Sequence, residues 1–122
     1  MTKEQALHSF FNSFGITGYR NTLVPDDVIF PYLTYDTPIA NFDEEPASIT
    51  LNLYYYTDSE AVPDAKAEEI RQRIGMRGAL LNCDGGAIWL KWGVPWCQSL
   101  VDEADGNIKR RYMNITAEYL TL

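Results

Sequence analysis

One histidine, two cysteines and no basic cluster longer than Lys109-Arg110-Arg111 set the first limits on this 122-residue chain. Zinc sites usually take three or four His or Cys ligands. His8, Cys83 and Cys97 are too few and too scattered for that, and no C-x-x-C spacing occurs. The cysteines therefore read as reduced thiols that pack as small hydrophobes. A Ser-His-Asp or Cys-His site would have to draw on His8, which sits beside the apolar stripe of an ordinary amphipathic segment. Phosphate-cradling G-x-x-x-x-G-K-S/T and G-x-G-x-x-G loops are missing, as is the G-x-S-x-G elbow of a nucleophilic serine. These absences argue against an enzyme and against a resident metal or cofactor.

Positive charge is scarce as well. The formal net charge is −7, with the acidic residues spread along the chain. Gripping nucleic acid through phosphates normally requires a basic patch, because counterion release supplies most of the affinity. An acidic protein can still surround DNA without holding it, since like charges repel. No stretch approaches the roughly 18 consecutive apolar residues of a membrane helix. The first residues, M-T-K-E-Q, lack the basic-then-apolar pattern of a secretory leader, so the protein is expected to be made and used in the cytoplasm.

What is present is alternation and aromatic residues. Residues 2–14 place Leu7, Phe10, Phe11 and Phe14 at helical spacing, with Thr2 and Gln5 forming a capping box and Gly15 as the stop. Residues 16–31, with Gly18, Pro25 and Pro31, read as an irregular connection, and 32–37 as a short strand. Residues 48–57 form the clearest strand, with Ile49, Leu51, Leu53 and Tyr55 on one face and Ser48, Thr50, Asn52 and Tyr54 on the other. Pro63 and Asp64 suit the first turn of a second helix, whose stripe is Ala67, Ile70 and Ile74 and whose end is Gly75.

Residues 79–83 and 87–92 read as a hairpin around Asp84-Gly85-Gly86. Gly93-Val94-Pro95 turns the chain into a further strand, 96–101, and 102–107 is a charged turn without the ligand spacing of a calcium loop. The last strand, 108–122, carries Met113, Ile115, Ala117 and Tyr119 on its inner face. The chain is thus expected to form a single α+β domain spanning 1–122. An antiparallel β-sheet carries two helices packed on one face, in the order α-β-β-α-β-β-β-β.

Two features exceed what a plain core needs. Tyr54 and Tyr56 share a parity opposite to Ile49, Leu51 and Leu53, so they point away from the core. Large rings on the outer face of a sheet commonly mark a protein interface. Arg110 and Arg111 point to opposite faces, and one of them is placed to pair with an acidic loop of a neighbour. Asp43, Glu44 and Glu45 form such a loop. These carboxylates otherwise read as a solvated surface.

The segments V-P-D-D-x-x-x-P-Y-L-T-Y, S-I-T-L-N-L-Y-Y-Y and A-K-A-E-E-I-R-Q-R-I occur in that order. They are followed by D-G-G-A-I-W-L, P-W-C-Q-S-L-V-D-E and I-K-R-R-Y-M-N-I-T-A-E-Y. Together they resemble the tail terminator, or tail-completion, proteins of the neck and tail region of long-tailed bacteriophages and prophages. That resemblance implies a non-enzymatic virion protein, assembled in the host bacterial cytoplasm as a homo-oligomeric ring, typically a hexamer. Such a ring caps the head-proximal end of the tail tube and offers the surface on which the head-neck protein joins. DNA passes through it without specific binding.

A cyclic ring needs two different patches on each subunit. The outer sheet face around Tyr54, Tyr56 and the Arg110/Arg111 strand is the expected first patch. Asp43, Glu44 and Glu45 either line the lumen or meet those arginines. A head-completion or neck protein is the neighbouring alternative. A cytosolic α+β ligand-binding or regulatory domain is the alternative from another class.

Overall fold

A computed structural model describes residues 1–38, 40 and 44–122. The elements are α1 (Lys3–Phe11), β1 (Thr17–Arg20), β2 (Tyr32–Tyr35), β3 (Ala47–Tyr56), α2 (Ala61–Ile74), β4 (Ala79–Cys83), β5 (Gly86–Val101) and β6 (Ile108–Thr121). The strands form one curled sheet in the order β1-β2-β3-β6-β5-β4, antiparallel throughout except for the parallel pair β1 and β2. The fold is α+β, as the hydrophobic patterning predicts. No helix among the described residues is long and apolar enough to cross a membrane.

The order of elements differs from expectation in two places. The connection 16–31 contains β1, a strand with a single buried residue, Gly18. It is held by parallel pairing to β2 and by Asn12 just past the end of α1. The Asn12 amide accepts from the Gly18 N–H at 2.9 Å and donates to the Gly18 carbonyl at 3.2 Å. A side chain thereby occupies the hydrogen-bonding edge where another strand would lie. Gly18 is needed for that approach, because a Cβ there would stand 2.8 Å from the Phe11 carbonyl oxygen.

The second difference is Gly93-Val94-Pro95, which does not turn the chain. β5 runs straight through as one strand, with a register shift between Trp92 and Cys97. Trp92 faces Ile115 and Cys97 faces Met113, so the intervening β5 residues bulge opposite Asn114. Asn114 Nδ2 donates to the Pro95 carbonyl at 2.8 Å and pins the bulge. A proline lacking its N–H is tolerated at such a site.

Strict alternation fixes the core. Ile49, Leu51, Leu53 and Tyr55 of β3 lie beside Met113, Ile115, Ala117 and Tyr119 of β6, with Ile88 and Leu90 of β5, and all are buried. Leu7, Phe11 and Phe14 from the α1 region and Ala67, Ile70 and Ile74 from α2 join the same cluster, which puts both helices on one face. Each buried Leu, Ile, Met or Phe side chain among them contributes about 1.5–3 kcal/mol. The capping box at Thr2 and Gln5 forms, at 2.9 and 3.1 Å. α2 is tied to the end of α1 by Lys66 donating to the Phe14 carbonyl at 2.7 Å, and by Arg73 lying over the Phe14 ring.

Tyr119 closes one end of this core and its hydroxyl donates to the Pro38 carbonyl. Burial pushes its phenol up to about 12, with Glu4, Asp36 and Cys83 adding to the rise. An unfolded tyrosine ionises near pH 10, so above that pH the unfolded chain gives up this proton first and folding stability drops. The stabilisation is complete below about pH 10 and is lost as pH climbs toward about 12. Urea midpoints measured across that window are expected to fall. In Tyr119→Phe the fall is expected to be shallower but still present, because burial also raises Tyr32, Tyr35 and Tyr55. The variant is expected to be about 1 kcal/mol less stable at neutral pH for want of the hydrogen bond. An unchanged alkaline slope in Tyr119→Phe would remove this residue from the account.

Candidate functional site

Both helices cover one face of the sheet, and the residues of opposite parity on β2, β3 and β6 make up the other. Register brings Tyr32, Tyr54, Arg110 and Leu100 side by side across β2, β3, β6 and β5, with Asn52 beside Tyr112 in the next row. The Tyr32 and Tyr54 rings stack with centroids 4.8 Å apart and planes 13° from parallel. Phe30 packs against Tyr32 at 5.4 Å and Tyr56 at 5.9 Å, and Tyr19 meets Tyr32 edge-on at 6.2 Å. Tyr56 is 56% exposed, a large value for a ring in an aromatic cluster.

Arg110 is the one cation in this array of aromatic rings. Its Nε donates to Asn52 Oδ1 at 2.8 Å, and its guanidinium carbon lies 5.9 Å from the Tyr54 centroid and 5.8 Å from that of Tyr112. These contacts hold the side chain in place by cation–π attraction and by one hydrogen bond. Among the described residues no carboxylate pairs with it, and its two terminal nitrogens make no hydrogen bond. An arginine held in this way presents its remaining N–H groups as a planar fork, the geometry that suits a carboxylate. Beside it is a recess of about 130 Å³ lined by Tyr54, Leu100, Val101, Asp102, Ile108 and Arg110.

The sequence-predicted residues divide between sites. Tyr54, Tyr56 and Arg110 come together on the uncovered face. Arg111 does not belong with them, which corrects its assignment to the outer patch. It shares parity with Met113 and Ile115, points into the helix-covered side and is 1% exposed. Its Nε donates to Asp64 Oδ1 at 2.8 Å and Nη2 approaches Glu60 Oε2 at 3.4 Å, both carboxylates belonging to the start of α2. The pair ties that helix end to β6, and the exposed carboxylates keep the buried charge compensated.

Glu44 and Glu45 are exposed just before β3, at the far end of that strand from Tyr54. Asp43 lies outside the described residues. Asn52 shares the outer face with Tyr54, as the alternation of β3 predicts, whereas sequence reasoning missed Tyr19, Phe30, Tyr32, Tyr112 and Leu100. Tyr112 was within reach of the parity rule, since it stands two residues from Arg110.

Among the described residues no three His, Cys, Asp or Glu side chains converge as metal ligands. His8 is exposed on α1 with its Nδ1 2.7 Å from the Tyr35 hydroxyl. Cys83 and Cys97 are free thiols packed against the core, and burial pushes the Cys97 thiol up, away from the thiolate form. The chemistry offered by the uncovered face is recognition: apolar ring surface around one oriented cation. No protein-family model matches the sequence, and no curated protein matches it.

Proposed function

We propose that this chain is a non-enzymatic virion structural protein, a tail terminator that forms a hexameric ring on the head-proximal end of a phage tail tube and offers the surface for head joining. The supporting observation is the uncovered sheet face, where partly exposed rings surround an arginine whose terminal N–H groups are unused among the described residues. Ring surface of this kind is normally covered by a protein partner, and here the partner is a second copy. The acidic segment Glu44–Glu45 supplies the opposite charge. β3 separates Glu45 from Tyr54 by roughly 30 Å at the usual strand rise, so the two patches do not meet within one chain. An interface joining them is head-to-tail, the type that closes into rings. The net charge of −7 fits a lumen that lets DNA pass without retaining it.

Light scattering on a sizing column, over a protein concentration series, is expected to give a closed oligomer in multiples of six subunits, formed alone or on added tail tubes. Binding to tailless filled heads in place of tubes would assign the protein to head completion. A protein that stays monomeric, ignores both, and shows a saturable thermal shift with a small molecule would overturn the structural reading.

A further inference from the structure

The two margins of the sheet are finished differently. At β1 the Asn12 amide takes up both the N–H and the carbonyl of Gly18, and no strand can add there without displacing it. At β4 the ladder to β5 puts Cys83 opposite Gly86 and Leu81 opposite Ile88. The Leu122 N–H reaches the Gly85 carbonyl on the other side of β5, at 3.4 Å. That parity turns Gly86 and Ile88 toward β4, so Leu81 and Cys83 pair inward while Leu80 and Asn82 direct their N–H and carbonyl groups outward. The next outward group, the Asp84 N–H, is taken by the Met1 carbonyl at 2.7 Å. Among the described residues Leu80 and Asn82 have no such partner. The strand, A-L-L-N-C, contains no charge, proline or bulge, which are the usual devices that stop an edge from pairing. Leu80 is 60% exposed, and an open groove lined by Met1, Phe10, Leu80 and Leu81 runs alongside.

We infer that the β4 edge is a self-pairing surface whose occupant is the β4 strand of a second copy, antiparallel about a two-fold axis at Leu81. Only that centre sets Leu80 of each copy opposite Asn82 of the other, so that all the outward backbone groups of both residues bond across the axis. No like charges face one another along the strand. Beyond this stretch the Met1 carbonyl holds the Asp84 N–H at 2.7 Å and the Met1 ammonium holds its carboxylate at 2.8 Å, so pairing across the axis is confined to Leu80–Asn82. The contact is isologous, one patch meeting itself, and is independent of whether the aromatic face builds a ring. Combined with a ring, it joins two rings and does not extend a filament.

The test uses the full chain carrying Arg110→Glu, in which the ring contact of the aromatic face is removed. Sedimentation equilibrium of this protein is expected to show a reversible species of twice the 13.9 kDa chain mass. Adding Asn82→Pro is expected to raise its dissociation constant on the order of tenfold or more, because each copy loses a donor at the axis. The β4–β5 ladder is unaffected, since that N–H points outward, so the thermal midpoint reports that the fold is intact. A strict monomer at millimolar concentration overturns the inference, as does a dimer indifferent to Asn82→Pro. Ring formation by the wild type is read separately, so either proposal can fail alone.

Discussion

Replacing Gly86 with alanine is expected to cost about 3 kcal/mol or more of folding stability, the largest loss of any single methyl added to the chain. Gly86 lies where β5 leaves its turn between β4 and β6, paired with Cys83 on one side and Thr121 on the other. Its φ of +149° is one that side chains rarely adopt, and a Cβ there would fall 1.9 Å from the Leu120 carbonyl oxygen and 3.0 Å from its carbon. The obstacle is ladder backbone and not a side chain, so no rotamer change relieves it. Relief requires parting β5 from β6, the most extensive pairing in the sheet. Chemical denaturation of Gly86→Ala checks this directly. Gly106→Ala is the control: a Cβ there meets nothing, and its midpoint is expected to match the wild type. Equal midpoints for the two variants would mean that β6 shifts freely at its end.

Reversing the charge at Arg110 is expected to abolish assembly while leaving the fold unchanged. Within the chain Arg110 touches Asn52 and the Tyr54 and Tyr112 rings on an uncovered face, so a glutamate there strands no buried carboxylate. Across the proposed interface the same change sets a carboxylate against Glu44 and Glu45 of the neighbouring copy. An oriented arginine among aromatic residues has the make-up of a binding hot spot, whose loss costs about 2 kcal/mol or more per contact. Multiplied around a ring, that is enough to dissolve it. Arg110→Lys keeps the charge and loses the fork, so it is expected to fall between wild type and Arg110→Glu. Glu45→Arg in the Arg110→Glu protein is expected to recover part of the assembly. If the mass profile of Arg110→Glu matches the wild type, the residue has no part in the interface.

Much of the fold is legible because β3 and β6 alternate strictly, and every second residue is apolar over most of their length. The capping box at Thr2 and the stripe on α2 are equally local signals. β1 is not local: four residues with one buried glycine acquire their strand character from β2 and from the Asn12 side chain. The bulge in β5 misleads for a related reason, since glycine and proline serve turns and bulges alike and only the facing Asn114 distinguishes them. The parity that places Met113 and Ile115 inside places Arg111 inside too, but its partners Asp64 and Glu60 lie far off in sequence at the start of α2, so a buried salt bridge is not a local signal. Tyr54 and Tyr56 were legible as outward rings, whereas the stack with Tyr32 depends on a register that no single strand encodes.

The asymmetry of the two sheet margins amounts to a limit on valence. A sheet with two open edges is a bifunctional monomer, and strand addition then continues without end, as in a fibril. With Asn12 holding Gly18, this chain has one functional edge, and growth by edge pairing stops at a pair. A chain finished in this way can be concentrated without that edge seeding polymer. One asparagine side chain, set against one glycine, acts as the chain terminator of an otherwise open-ended reaction.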